Sequence, residues 1–199
     1  MAAAERLVAA HGYTGTSVVA IAQEADVAAG SIYLHFASKA ALFDEVFRRA
    51  AGRELAAVRH AAAKQSGAPE RLTAIVETFA HRALQSGRLA WALLAEPVDP
   101  VLDAERLAFR HAYRDALVTV LADGAATGQF ALDDLELTAA ALVGAIAEAL
   151  VGPLSPLSDR RLDEDQLVYQ LIGISLQIAG ARSRKPASAD EDGRPNEHG

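Results

Sequence analysis

The 199-residue chain contains no cysteine, which excludes disulfides, thiolate metal ligation and thiol catalysis together and suits a reducing compartment. Aromatic residues are few, at 6%, with a single tryptophan and a single methionine. Most of the 51% hydrophobic content must therefore come from alanine, leucine, valine and isoleucine. No run approaches the roughly 18 to 20 uninterrupted apolar residues of a membrane span, and Met1-Ala2-Ala3-Ala4-Glu5 lacks the basic start and apolar centre of a secretory signal. A cytoplasmic protein without a membrane partner is expected. The histidines His11, His35, His60, His81, His111 and His198 include no pair at the three- or four-residue spacing of metal ligands, and no serine sits in a nucleophile elbow. Neither a metal site, a cofactor nor a catalytic group is expected.

Positive charge is also scarce. The formal net charge is -7, and residues 1–47 carry only Arg6 and Lys39 against Glu5, Glu24, Asp26, Asp44 and Glu45. Electrostatics alone would vote against nucleic acid as a partner. If this segment binds DNA, its acids must lie away from the reading face, with Arg48, Arg49 and Arg53 close enough to help.

What is abundant is helix-forming sequence. Alanine and leucine dominate, glycine and proline cluster at breaks, and no window alternates for long, so an all-α fold is predicted. A first helix stops at Gly12; Thr16 or Ser17 caps a second, Val18 to Ala25; a third follows Ala28; Ser38 caps a long helix reaching about Lys64. Further helices are expected over Glu70 to Gln85, Leu89 to Ala95, Leu102 to Ala126, Asp134 to Val151 and Asp163 to Ala181. Gly67-Ala68-Pro69, EPVDP at 96–100 and GPLSP at 152–156 are read as breaks, Pro97 to Pro100 forming a rigid elbow. Residues 183–199 are rich in serine, proline, glycine and charge, a composition that predicts disorder.

Two short helices with so small a turn between them form a helix-turn-helix. Ala28, Ala29, Gly30 and Ser31 make the second one slim enough to enter a major groove, Tyr33 and His35 offer polar tips, and Lys39 stands at the start of the next helix. Gly12-Tyr13, Thr16-Ser17, Ile21-Ala22, Gly30-Ser31-Ile32-Tyr33, Phe36 and Ser38-Lys39 stand in an order and spacing that resembles the tetracycline-repressor (TetR) family over residues 2 to 47. The resemblance implies a DNA-binding transcriptional regulator with DNA contacts at Thr16, Ser17, Ala28, Ala29, Gly30, Ser31, Tyr33, His35 and Lys39. Relatives commonly carry a basic arm ahead of the first helix; here that arm is either absent or outside this sequence.

The resemblance further implies a homodimer on a palindromic operator, released by a small-molecule effector, with residues 1–47 reading DNA and 48–182 binding ligand and partner. The family pairs through its last two helices. Here Ala141, Gly144 and Ala145 on one, and Leu167, Leu171, Ile174 and Ile178 on the other, are the candidate interface, although the same residues would also serve an intrachain core. Phe79, Trp91, Phe109 and Tyr113, with Arg106 and Arg110, are the candidate effector site, suited to an apolar molecule with an anionic or phenolic end. A plain core with a solvated arginine face fits them as well. Two other classes remain open: a helix-turn-helix protein docking a protein through Val18 and Val19, and an α-helical enzyme using Glu96 or Asp99 with Arg106 and His111.

Overall fold

The computed structural model describes residues 1–158 and 163–181, which form nine α-helices and no strand. They are α1 Ala2–His11, α2 Val18–Glu24, α3 Ala29–Tyr33, α4 Lys39–Ala63, α5 Ala68–Ser86, α6 Arg88–Leu94, α7 Pro100–Ala126, α8 Leu135–Leu154 and α9 Glu164–Ile178. The segment expected to be disordered, 183–199, lies outside the described residues.

Side-chain caps begin the helices at the expected places. Ser17 accepts from the amide of Ala20, Ser38 from Ala41, Asp134 from Leu137 and Asp163 from Gln166, each meeting an amide that the helix itself leaves unpaired. Asp26, in the turn between α2 and α3, has φ of 53°, a left-handed conformation that aspartate tolerates better than most residues.

The prolines behave differently from the expectation. Ala68 and Pro69 open α5, and Pro100 opens α7, because a residue in the first helical turn has no intrahelical use for an amide hydrogen. Pro153 sits inside the last turn of α8, which runs on to Leu154 instead of stopping at Val151. The carbonyl of Val151 is still used, by the amide of Ser155 at 3.0 Å, so the helix ends in order after the proline.

Two apolar clusters fill the molecule. The first gathers Val8, Tyr13, Ile21, Leu42, Phe43, Val46 and Phe47 from α1 to α4, and includes Ala92 of α6 and Leu102 of α7. The second joins α4, α5, α7, α8 and α9 around Leu72, Val76, Leu117, Leu121, Leu142 and Leu150. α4 belongs to both, and α6 and α7 reach the first, so these three helices join the two clusters. Among the described residues one helix, α8, is long and apolar enough to cross a membrane by length and composition. It packs against α5, α7 and α9, but only 33% of its most apolar stretch is buried.

Packing is close at Gly124 on α7, where an added Cβ would meet the Phe130 ring and lie 2.9 Å from the Ala68 Cβ. Phe130 is itself buried. Gly124→Ala is expected to cost about 1–3 kcal/mol through overpacking, read as a lower urea midpoint with an unchanged m-value.

Candidate DNA-reading surface and effector cavity

The turn between α2 and α3 leaves α3 standing out from the fold. Ala28, Gly30, Ser31, Tyr33 and His35 are exposed and Ala29 is half-buried, while Ile32 and Phe36 pack back onto the N-terminal cluster. Val19, Val27 and Leu34 are exposed as well, Leu34 at 83%. The projecting surface is thus slim, nearly uncharged and partly apolar. Val18, coupled with Val19 in the protein-docking alternative, is buried instead.

Several expected contact residues serve the fold. Thr16 is only 2% exposed and its hydroxyl donates to the Gly12 carbonyl at 2.7 Å, so it is removed from the reading face; Ser17 alone caps α2. Lys39 is half-buried, its ammonium donating to the Tyr13 carbonyl at 3.1 Å and lying 4.4 Å from the Tyr13 ring centroid. That bond and cation–π contact orient the side chain toward the α1–α2 loop. Four of the five acids are dealt with by pairing, while Asp26, exposed in the turn before α3, makes no ion pair among the described residues. Glu24 binds Arg6 at 2.9 Å, Glu5 binds Arg53 at 3.0 Å, and Asp44 and Glu45 hold Arg48 and Arg49 at 2.7–3.0 Å. The three arginines expected to supplement the reading face are therefore already engaged, and their exposed pairs add little stability.

Behind these helices, α4, α5, α6, α7 and α8 surround a cavity of about 100 Å³ that opens to solvent. Phe79, Arg106, Phe109, Arg110 and Tyr113 line it as expected, and apolar walls come from Phe47, Leu89, Leu93 and Ile146. Trp91 does not line it; its side chain packs against the second cluster. Arg110 is exposed and lines both this cavity and an adjoining hollow, and among the described residues it makes no ion pair. Missed in the sequence was a pair reaching across the cavity wall: Arg82 of α5 grips Glu54 of α4 through two bonds of 2.5 and 2.9 Å. The two residues lie 28 positions apart, beyond any local spacing signal.

Arg106 is also corrected. Its guanidinium donates to the Ala92 carbonyl at 2.5 Å, to the Glu96 carbonyl, and to Asp103 at 3.0 Å, so its charge is spent on the end of α6 and the elbow, and burial pulls its pKa down. The elbow continues into the N-terminal helices. The Glu96 side chain, 7% exposed, accepts from the amides of Tyr13 at 2.8 Å and Thr14 at 3.0 Å, while the Tyr13 hydroxyl donates to Asp99. Burial, the Asp99 hydrogen bond and the nearby carboxylates push the Tyr13 pKa up to about 12, so it remains a donor at physiological pH. Gly12 has φ of 73°, and a Cβ there would lie 2.9 Å from the Glu96 carboxylate. Of the enzyme alternative's residues, Glu96, Asp99 and Arg106 are each engaged in these structural bonds, and His111 is exposed.

On its outward side α8 exposes Ala141 and Gly144 and half-exposes Ala145, with Leu137 also bare, and Gly144 lines the hollow that adjoins the cavity at Arg110. The α9 stripe divides. Leu171 is buried and Leu167 and Ile178 pack against the second cluster, so these three belong to the chain's own core; Ile174 remains 47% exposed. Their spacing marks the face that meets α5 and α8. The outward face instead carries Tyr169, at 74% exposure, with Gly173 and Ile174.

A projecting helix-turn-helix on an all-α body with an apolar cavity is the architecture of a one-component transcriptional regulator. The family model described as bacterial regulatory proteins, tetR family, matches residues 1–46, and that of the tetracyclin repressor-like C-terminal domain matches residues 65–150. The chain belongs to the TetR family of transcriptional regulators. Similar solved structures include the transcriptional regulator FadR from Bacillus subtilis in complex with stearoyl-CoA, 22% identical over 91% of this chain and 97% of that one, with a TM-score of 0.76. A tetR-family regulatory protein from Rhodococcus RHA1 is 24% identical over 92% and 95%, TM-score 0.68. AibR in complex with isovaleryl coenzyme A and operator DNA is 20% identical over 86% and 93%, TM-score 0.66. At these identities the likeness establishes a shared fold. No curated protein matches the chain in sequence.

Proposed function

We propose that this regulator is a cytoplasmic repressor that binds a palindromic operator as a homodimer and is released by a small amphipathic effector. Residues 1–47 read DNA, 48–182 bind effector and partner, and the chain performs no catalysis of its own. The observation that carries release is the double role of Arg106: it lines the cavity and also holds the α6–α7 elbow, whose Glu96 grips the loop before α2. A ligand that displaces Arg106 favours a different elbow position, and only such differential binding can shift the DNA-binding state.

The walls suit an apolar chain and the exposed Arg110 suits an anionic head outside it. Two structural relatives are complexes with acyl-coenzyme A molecules, which supports the same effector class here. At the DNA, Gly30 and the small residues beside it admit close approach, Ala28 and Ala29 meet thymine methyl groups, and Ser17, Ser31, Tyr33, His35 and Lys39 supply polar contacts. Lys39 has ammonium hydrogens to spare beyond its bond to Tyr13. A protein partner is the second reading, favoured by the exposed Val19, Val27 and Leu34.

Selection from a random duplex pool by the full-length protein tests both. An inverted repeat is the expected product, and Lys39→Gln is expected to flatten the log–log salt dependence by about 0.9, one released counterion fewer. Equal affinity for the selected and a scrambled duplex would overturn the repressor reading in favour of the protein partner.

A further inference from the structure

We infer that Tyr113 selects the effector by donating a hydrogen bond to a neutral carbonyl oxygen inside the cavity, an inference that rests on reading the cavity as the effector site. Tyr113 is 8% exposed, lines the cavity, and its hydroxyl oxygen is buried without a hydrogen-bond partner in the chain. Its ring is fixed between Phe79, at 5.0 Å and 72°, and Phe109, at 5.7 Å. A hydroxyl held so firmly cannot turn out to water, and a buried polar group left unpaired is costly enough to call for a partner from outside. Burial raises the Tyr113 pKa well above its ordinary value, so the phenol keeps its proton and is a donor.

The polar surroundings define what the partner is. Glu54 and Arg82 share the cavity wall with Tyr113 but are bonded to each other, so neither supplies the acceptor that the phenol's proton lacks. The group that fits must accept. The pair is neutral as a whole, and Arg106 is bonded to Asp103 and to two backbone carbonyls; Arg110, the lining arginine that makes no ion pair among the described residues, is exposed. The ligand class is therefore an apolar chain with an uncharged carbonyl, as in a thioester or ester, inside the cavity, and an anionic head beyond it. The carbonyl is read by Tyr113 and the chain by the walls.

The test compares dodecanoyl-CoA with S-dodecyl-CoA, which differs only in having a methylene for the carbonyl, by calorimetric titration of the full chain. The parent is expected to bind the thioester about tenfold more tightly, the effect of one hydrogen bond to a buried group. Tyr113→Phe removes only the unpartnered oxygen, so it is expected to melt no lower than the parent, keep its affinity for the thioether and lose the tenfold preference. Equal binding of the two compounds by the parent, or a preference that survives Tyr113→Phe, would overturn the carbonyl assignment and leave the cavity as the effector site. A variant that melts lower and loses both ligands equally would make Tyr113 structural and overturn it too. Binding of neither compound would overturn the acyl-type reading together with it.

Discussion

Glu96→Ala is expected to lower the unfolding free energy by about 3 kcal/mol and to weaken the effector's control of DNA binding. Its carboxyl group is the acceptor for two successive backbone amides, those of Tyr13 and Thr14, in a place where water has little access. Truncation leaves both donors without an obvious replacement, and hydrogen bonds to a carboxylate are stronger than neutral ones. Glutamine is not an equivalent residue here, because its amide nitrogen would face a backbone N–H; Glu96→Gln is expected to fall between parent and alanine. Urea denaturation reads the first effect. Release of operator DNA by dodecanoyl-CoA reads the second, since the elbow would no longer grip the α1–α2 loop through Glu96. A Glu96→Ala protein as stable as the parent would show that the two amides find other partners.

What sequence made visible, and what it did not, follows from the range of the interactions. The ends of α2, α4, α8 and α9 rest on a serine or aspartate meeting an amide three residues on, and such caps are readable without a structure. Gly12 and the alanine–glycine run at 28–30 are equally local. Lys39 is not: its direction depends on where the Tyr13 carbonyl arrives, 26 residues earlier. Arg106, Arg110 and Arg114 share a helical spacing but not a fate, for Arg106 closes onto α6 and the elbow, Arg110 remains exposed and Arg114 lies near Asp115 and Glu136. The same limit governs α9, where periodicity found an apolar stripe correctly but could not tell core from interface. Helix period identifies a face; only packing says what the face meets.

The exposed side of α8 gives the other large expected effect. Gly144→Arg is expected to yield a folded monomer whose operator affinity is reduced by about 100-fold or more, because a single helix-turn-helix loses the effective concentration that its tethered twin provides. The monomer fold should tolerate the change: Gly144 is exposed, and a Cβ built there meets nothing within 4 Å. A dimer should not tolerate it. Leu137 and Ala141 on α8, with Tyr169 and Ile174 on α9, leave an apolar surface that a second copy can cover, and a guanidinium driven into that contact would be stripped of water together with Glu148, the carboxylate one turn along α8. Sedimentation and circular dichroism together separate the two effects. A Gly144→Arg protein that is folded and still dimeric would move the interface off this face of α8, and one that fails to fold would mean that the open space around Gly144 is closed by contacts within the chain. The expected combination, intact helix content with half the mass and weak half-site binding, would tie operator affinity to a surface outside residues 1–47.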